Sequence, residues 1–259
     1  MRLGRHAATA SAWVRSVLER LLAVEVIDRS LVVGAQAFSA LVPLMIVLAS
    51  LLARNGMSWG DALVDHFGLT GAGAATVRQA MSSPAQEGTL SAVSAVLVAL
   101  SALAFTRALQ RTFEVTWDLP RRGMRGTGWG LAWLALFAGY WALIPIGHDA
   151  LPRGIRLTAG VAEAFAMWLV TPYVLLARRI PWRRLLPQAA FTAVGMTLLS
   201  AGAALYIPPA MSSSAEQFGT IGVAFTLLSF LWAGGLVLVT AAVLGAYVVA
   251  PPRSRRTPG

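Results

Sequence analysis

Six stretches of the chain carry apolar side chains almost without interruption, and segments dense in arginine separate most of them. A bilayer hydrocarbon core of about 30 Å is crossed by about 20 helical residues at 1.5 Å each. Residues 30–53 meet that length with no charged side chain. Residues 90–106 form a shorter run whose helical pattern continues beyond it. Residues 127–147 are rich in tryptophan (Trp129, Trp133, Trp141), and residues 157–177 hold a single acid, Glu163. Residues 185–207 and 221–249 complete the set. The last, at 29 residues, has to tilt, bend or protrude. Gly234-Gly235 near its middle is the expected bend. The pattern predicts an all-α integral membrane bundle of six transmembrane helices over residues 30–249. A basic amino-terminal segment, 1–29, precedes it and a basic tail, 250–259, follows.

Two connections have a pattern of their own. In the first, Trp59, Leu63 and Phe67 recur every four residues on one helical face, with Asp61 and Asp65 on another. Ser58 with Asp61 resembles a helix-starting cap. This predicts a short amphipathic helix on the outer membrane surface or folded over the bundle, with a second helix over 72–81. In the second connection Leu109, Phe113 and Trp117 form an apolar stripe. Arg107, Arg111, Glu114 and Asp118 form a polar one. The second span is therefore expected to continue as an amphipathic helix until Pro120, along the cytoplasmic surface or packed beneath the bundle. A solvated charged face and a partner-binding face both fit that stripe.

Composition agrees with the pattern. Of 259 residues, 57% are hydrophobic and 12% charged, against about 25% charged in soluble domains. There is no cysteine, which excludes disulfides and thiolate chemistry. The first apolar run begins at Ser30, behind five arginines, so the amino terminus does not read as a cleavable signal. All 21 basic residues are arginine, and alternate segments between spans hold 17 and 4 of them. The positive-inside rule then puts both termini in the cytoplasm. The basic segments would lie against anionic membrane lipids. That accounts for the net charge of +10 without invoking nucleic acid.

Chemistry-bearing residues are sparse. The histidines, His6, His66 and His148, are far apart, and no metal-ligand spacing, phosphate-binding loop or nucleophile elbow occurs. No enzyme activity, metal or cofactor is expected. Glu163 is the one ionisable residue well inside a span. It suits a carboxylate hydrated or paired with Arg156 at the outer interface, ahead of a proton- or cation-linked group in a cavity. Gln36 and Gln188 are candidates for interhelical hydrogen bonds or a cavity wall. Pro43, Pro145 and Pro172 are expected to interrupt their spans and free backbone carbonyls, as substrate-lining helices do. Pro187 is expected to start the fifth span.

The residues also carry a family resemblance. Gly34-Ala-Gln-Ala-Phe-Ser-Ala-Leu-Val-Pro-Leu44 and the amphipathic run Arg107–Trp117 are two of its motifs. Pro181-Trp-Arg-Arg-Leu-Leu-Pro187 and Phe218-Gly-Thr-Ile-Gly222 before a long span with Trp232 are the others. In order and spacing these resemble the YihY/BrkB family of bacterial inner-membrane proteins, once mislabelled as ribonuclease BN. The resemblance covers about residues 15 to 250. It departs from the family at Glu114 (often asparagine), Gln188 (often glycine) and Tyr247 (often glutamate). It implies a multi-pass membrane protein linked to envelope integrity. The expected function is a permease or a protein handling a lipid or small solute, with Glu163, Gln36, Pro43, Pro172 and Gln188 near the cavity. The alternative is a non-transporting scaffold that binds envelope proteins through Trp59, Leu63, Phe67, Arg107, Arg111 and Glu114.

Overall fold

A computed structural model of the chain describes residues 2–52, 64, 70–81, 92–148 and 153–249. Among these residues the architecture is all-α. The helices are α1 (Arg2–Ala23), α2 (Val26–Leu52), α3 (Gly71–Met81), α4 (Ala92–Thr116), α5 (Thr127–His148), α6 (Arg153–Leu175) and α7 (Trp182–Val249), with a 3-10 turn at Gly123–Gly126 before α5. The apolar runs expected at 30–53, 90–106, 127–147 and 157–177 fall on α2, α4, α5 and α6. Helix α4 carries ten residues past the apolar run, as the amphipathic stripe requires.

The last two runs share one hydrogen-bonded element, α7. Its only non-helical residue is Gly219 (φ 61°, ψ −138°). That backbone lies outside the range of residues with a Cβ, so glycine there turns the chain. A first arm, 182–218, leads to the turn and a second arm, 220–249, returns from it. Val237 packs on Gly195 and Gly245 on Gln188, so contacts retreat along one arm as they advance along the other, as in an antiparallel hairpin.

The helices depart from the sequence pattern in four respects. Helix α2 continues through Pro43, α5 through Pro145 and α6 through Pro172, so these prolines do not interrupt their helices. Pro187 does not start a helix. Pro181 precedes the first turn, its carbonyl accepting the Arg184 amide at 2.9 Å, and α7 begins at Trp182. Gly234-Gly235 is not a bend but a place of close packing. The first arm does not end at Ile207. It runs through Pro208 and Pro209 because Ile207, Met211 and Ala215, at steps of four, bury against Val64, Ala74 and Val223. That packing offsets proline's cost of about 3 kcal/mol inside a helix.

The chain divides into two compact units. The first comprises residues 1–29, 109–195 and 236–259. In it, Val24 and Val26 pack with Val239 and Val243, joined by Leu21 and Val115. Ser16 and Tyr247 share a hydroxyl hydrogen bond of 2.5 Å, with Trp13 edge-on to the Tyr247 ring. Trp133 of α5 donates to Thr171 of α6 at 3.1 Å, and the Thr171 hydroxyl also bonds the Met167 carbonyl, one turn back. Helices α4 and α6 end alike. The Leu119 and Asp118 amides reach back to Glu114 O and Val115 O (2.8 and 3.2 Å). The Arg178 and Ala177 amides reach Tyr173 O and Val174 O (2.9 and 2.8 Å). These are Schellman caps, but with Asp118 and Ala177 in the left-handed position (φ 51° and 54°) where glycine is usual.

Left-handed backbone costs a residue with a Cβ about 1–2 kcal/mol, and glycine's greater unfolded freedom returns only about 0.5–1 kcal/mol of that. Ala177→Gly is therefore expected to raise the thermal midpoint of the purified protein by about 2 °C. A lower midpoint would contradict this account of the cap.

The second unit comprises residues 30–108 and 196–235. Small residues bring α2 against the second arm of α7. A Cβ on Gly34 would meet Trp232 Cα at 2.7 Å, and one on Gly235 would meet the Ser30 carbonyl at 2.6 Å. Such seams suit helices that associate by close packing. Helix α3 lies on the first arm, with Gly73 over Ser212 and the Ser212 hydroxyl donating to Thr70 O at 3.3 Å.

Candidate functional site

The first unit holds a knot of buried polar groups where α4 and α6 end. Glu114 is 2% exposed. Its carboxylate pairs with Arg179 and accepts the Arg122 amide at 3.2 Å. Arg179 also donates to Pro120 O at 2.8 Å and Leu176 O at 3.0 Å. One guanidinium thus joins the carbonyl at the end of α6, where the backbone dipole favours a cation, to a carbonyl of the loop after α4. Gln110, seated on Gly126, donates to Leu175 O at 3.1 Å. Trp117 donates to Gln188 at 2.8 Å. Arg178, beside this knot, lies over the rings of Trp129 and Tyr173.

Glu114 therefore does not lie on the surface face expected of it. The Schellman turn folds the following loop back over α4, and the buried charge is matched by Arg179. Arg111 is exposed and Arg107 half-buried. Two family departures, Glu114 and Gln188, are thus knot residues, and the third, Tyr247, holds Ser16. Nothing in the local pattern of α4 marked Glu114 as buried. The signal lay in the Arg178-Arg179 pair just after α6.

The second unit holds a cavity of about 720 Å³ between the two arms of α7. On the first arm Leu198, Gly202, Tyr206, Ala210 and Ser214 line it at steps of four. On the second arm Ile221, Phe225, Ser229 and Ala233 do the same. Small residues (Gly202, Ala210 and Ser214 on one face, Ser229 and Ala233 on the other) leave a trough rather than a seam. Its rim is open: Tyr206, Ile221 and Phe225 are each about 70% exposed. The polar groups of the wall are hydroxyls. Thr226 lies 3.1 Å from Ser214 and 3.0 Å from Gly222 O, and Ser229 donates to Phe225 O at 2.9 Å. Among the described residues, no arginine, lysine, histidine or carboxylate lines it.

The residues singled out from sequence are not gathered at this groove. Gln188 and Pro172 are buried in the first unit. Glu163, half-buried on α6, is close enough to Tyr140 to act on it electrostatically. Gln36 is half-buried on α2 in the second unit. Pro43 lies in α2 backbone, its side chain outside the described residues. Trp59, Leu63 and Phe67 also lie outside them. The helix expected over 72–81 is α3. The groove-lining residues were missed, although the step-of-four run from Leu198 to Ser214 was there to be read.

Helix α7 is long and apolar enough to cross a membrane, and Gly160–Leu175 is a shorter apolar helix. Only 33% of the most apolar window of α7 is buried, which a core helix of a water-soluble protein would not tolerate. The class is that of a helical membrane protein. A family model described as Virulence factor BrkB matches residues 17–258, nearly the whole chain. The chain belongs to this family and is a membrane protein of the YihY/BrkB type. No curated protein and no solved structure matches it.

Proposed function

We propose that this chain is a six-span protein of the bacterial cytoplasmic membrane that handles a lipid through the groove between the arms of α7. The spans are α2, α4, α5, α6 and the two arms, with both termini in the cytoplasm and the Gly219 turn on the outer side. The observation that carries the reading is the groove itself: apolar, open along its rim and, among the described residues, lined by no charged side chain. A membrane solute that is mainly hydrocarbon suits such walls, whereas an ion or sugar would meet too few partners. Membrane placement is supported by large apolar side chains exposed on every proposed span. Leu31 on α2, Leu97 on α4, Leu131 on α5 and Val161 on α6 are all more than half exposed, as are Leu198 and Phe225 on the two arms. Orientation follows the arginines, which are absent between the two arms and abundant in the segments assigned to the cytoplasm. The work of the groove is binding and release, not bond chemistry. Handling lipid in this way is how the chain would serve the envelope.

Gly202 gives a clean test. It lines the groove, and a Cβ built on it meets nothing within 4 Å. Gly202→Phe should fill the trough without moving a helix. Native mass spectrometry of the purified chain should show lipid retained by the parent protein and lost from the variant. Equal retention by both would remove the groove from consideration.

A further inference from the structure

We infer that the lipid taken by the α7 groove has an uncharged, hydroxyl-bearing headgroup, of the diacylglycerol kind, and not a phosphate. This rests on the lipid-handling reading above and narrows it to a substrate class.

The groove is built from residues 198–233, inside a longer stretch, 185–252, with no arginine, lysine or histidine and one acid, Glu216. Sites that hold phosphate draw on guanidinium or ammonium groups for charge-assisted bonds. None is available on either wall. Glu216, exposed near the Gly219 turn, adds a negative charge at the end where the polar residues collect. Serines 212–214, Gln217 and Thr220 stand there with it. On these two walls a phosphate would meet the Glu216 carboxylate and no cation. An alcohol meets donors and acceptors.

The hydroxyls have capacity to spare. Thr226 has one hydrogen and two acceptors in reach, Ser214 and Gly222 O. When Thr226 donates to Ser214, the Ser214 proton is free for a hydroxyl in the groove. Length also fits a lipid tail. From Leu198 to Ser214 the first arm rises about 24 Å, more than the roughly 15 Å depth of one leaflet. A tail along these walls therefore carries its headgroup to the serine-rich turn.

The test uses the full chain in mild detergent, offered equal amounts of dioleoyl diacylglycerol and dioleoyl phosphatidic acid, which differ only in the phosphate. Bound lipid is counted by native mass spectrometry. The expected result is diacylglycerol retained over phosphatidic acid by about tenfold and lost in Gly202→Phe. In Glu216→Lys the ratio should fall several-fold towards phosphatidic acid. Gly202-sensitive retention of phosphatidic acid, equal to or above that of diacylglycerol, overturns the headgroup assignment alone. An unchanged ratio in Glu216→Lys overturns the placement of the headgroup at the turn. Retention of neither lipid in a Gly202-sensitive way overturns the lipid-handling reading together with this one.

Discussion

Replacing Arg179 with alanine should cost the protein about 3–5 kcal/mol, the usual penalty for stripping the partner from a buried ion. Glu114 would remain at 2% exposure with its charge unmatched. The Pro120 and Leu176 carbonyls would lose their donor as well. Thermal unfolding in detergent should show a drop on the order of 10 °C, with reduced accumulation in cells. Arg179→Lys should recover only part of the loss, because an ammonium cannot span three acceptors set in different directions. Glu114→Gln should be milder, since Arg179 is 20% exposed and can turn towards water. If the double change Glu114→Leu with Arg179→Met is as damaging as Arg179→Ala alone, the loss does not come from an orphaned charge. Recovery in the double variant is the expected outcome.

The second large effect reverses a familiar sign. Glycine to alanine inside a helix normally gains about 1 kcal/mol. At Gly245 the new Cβ would stand 2.5 Å from Gln188 Cα and 2.7 Å from its amide nitrogen. Backbone cannot rotate away as a side chain can. The arms of α7 must separate, and overpacking of this kind costs about 1–3 kcal/mol. Gln188 would also be pushed from Trp117, whose indole it accepts. Gly245→Ala should therefore lower the unfolding midpoint. Gly202→Ala, with open space around its Cβ, should leave it level or raise it. A rise for both variants would show that the arms do not pack as described.

Much of this fold could be read from the order of apolar and basic segments. Apolar runs of about twenty residues with at most one charge have few outcomes other than long helices, so α2, α5 and α6 fall close to their expected places. The ends of α7 were harder. Pro208-Pro209 looks like a stop when only local hydrogen bonding is weighed, yet the helix continues because Ile207 and Met211 have Val64 and Val223 to bury against. That compensation lies far away in sequence. Glycines misled for a related reason. Gly234-Gly235 invites a bend, but glycine serves close approach as well as flexibility, and Ser30 of α2 occupies the space.

The candidate site was less legible. Polar residues inside spans draw attention because each is costly there, which led to Glu163, Gln36 and Gln188. Gln188 meets its cost by accepting from Trp117, a structural role. The groove carries no such marker, being made of what a membrane helix has in abundance. Its signature is the coincidence of small residues on two facing stripes, visible once the Gly219 turn sets the two arms side by side.

Lipid seated in the groove of α7 should be caught there by photocrosslinking. Cells making the protein would be fed a fatty acid with a photoactivatable group mid-chain. After irradiation, lipid adducts would be mapped by mass spectrometry. The account predicts adducts concentrated on residues 198–233, with Tyr206 and Phe225 prominent, and their loss in Gly202→Phe. Adducts spread evenly over Leu97, Leu131, Val161 and the other exposed apolar residues, unchanged by that substitution, would contradict it.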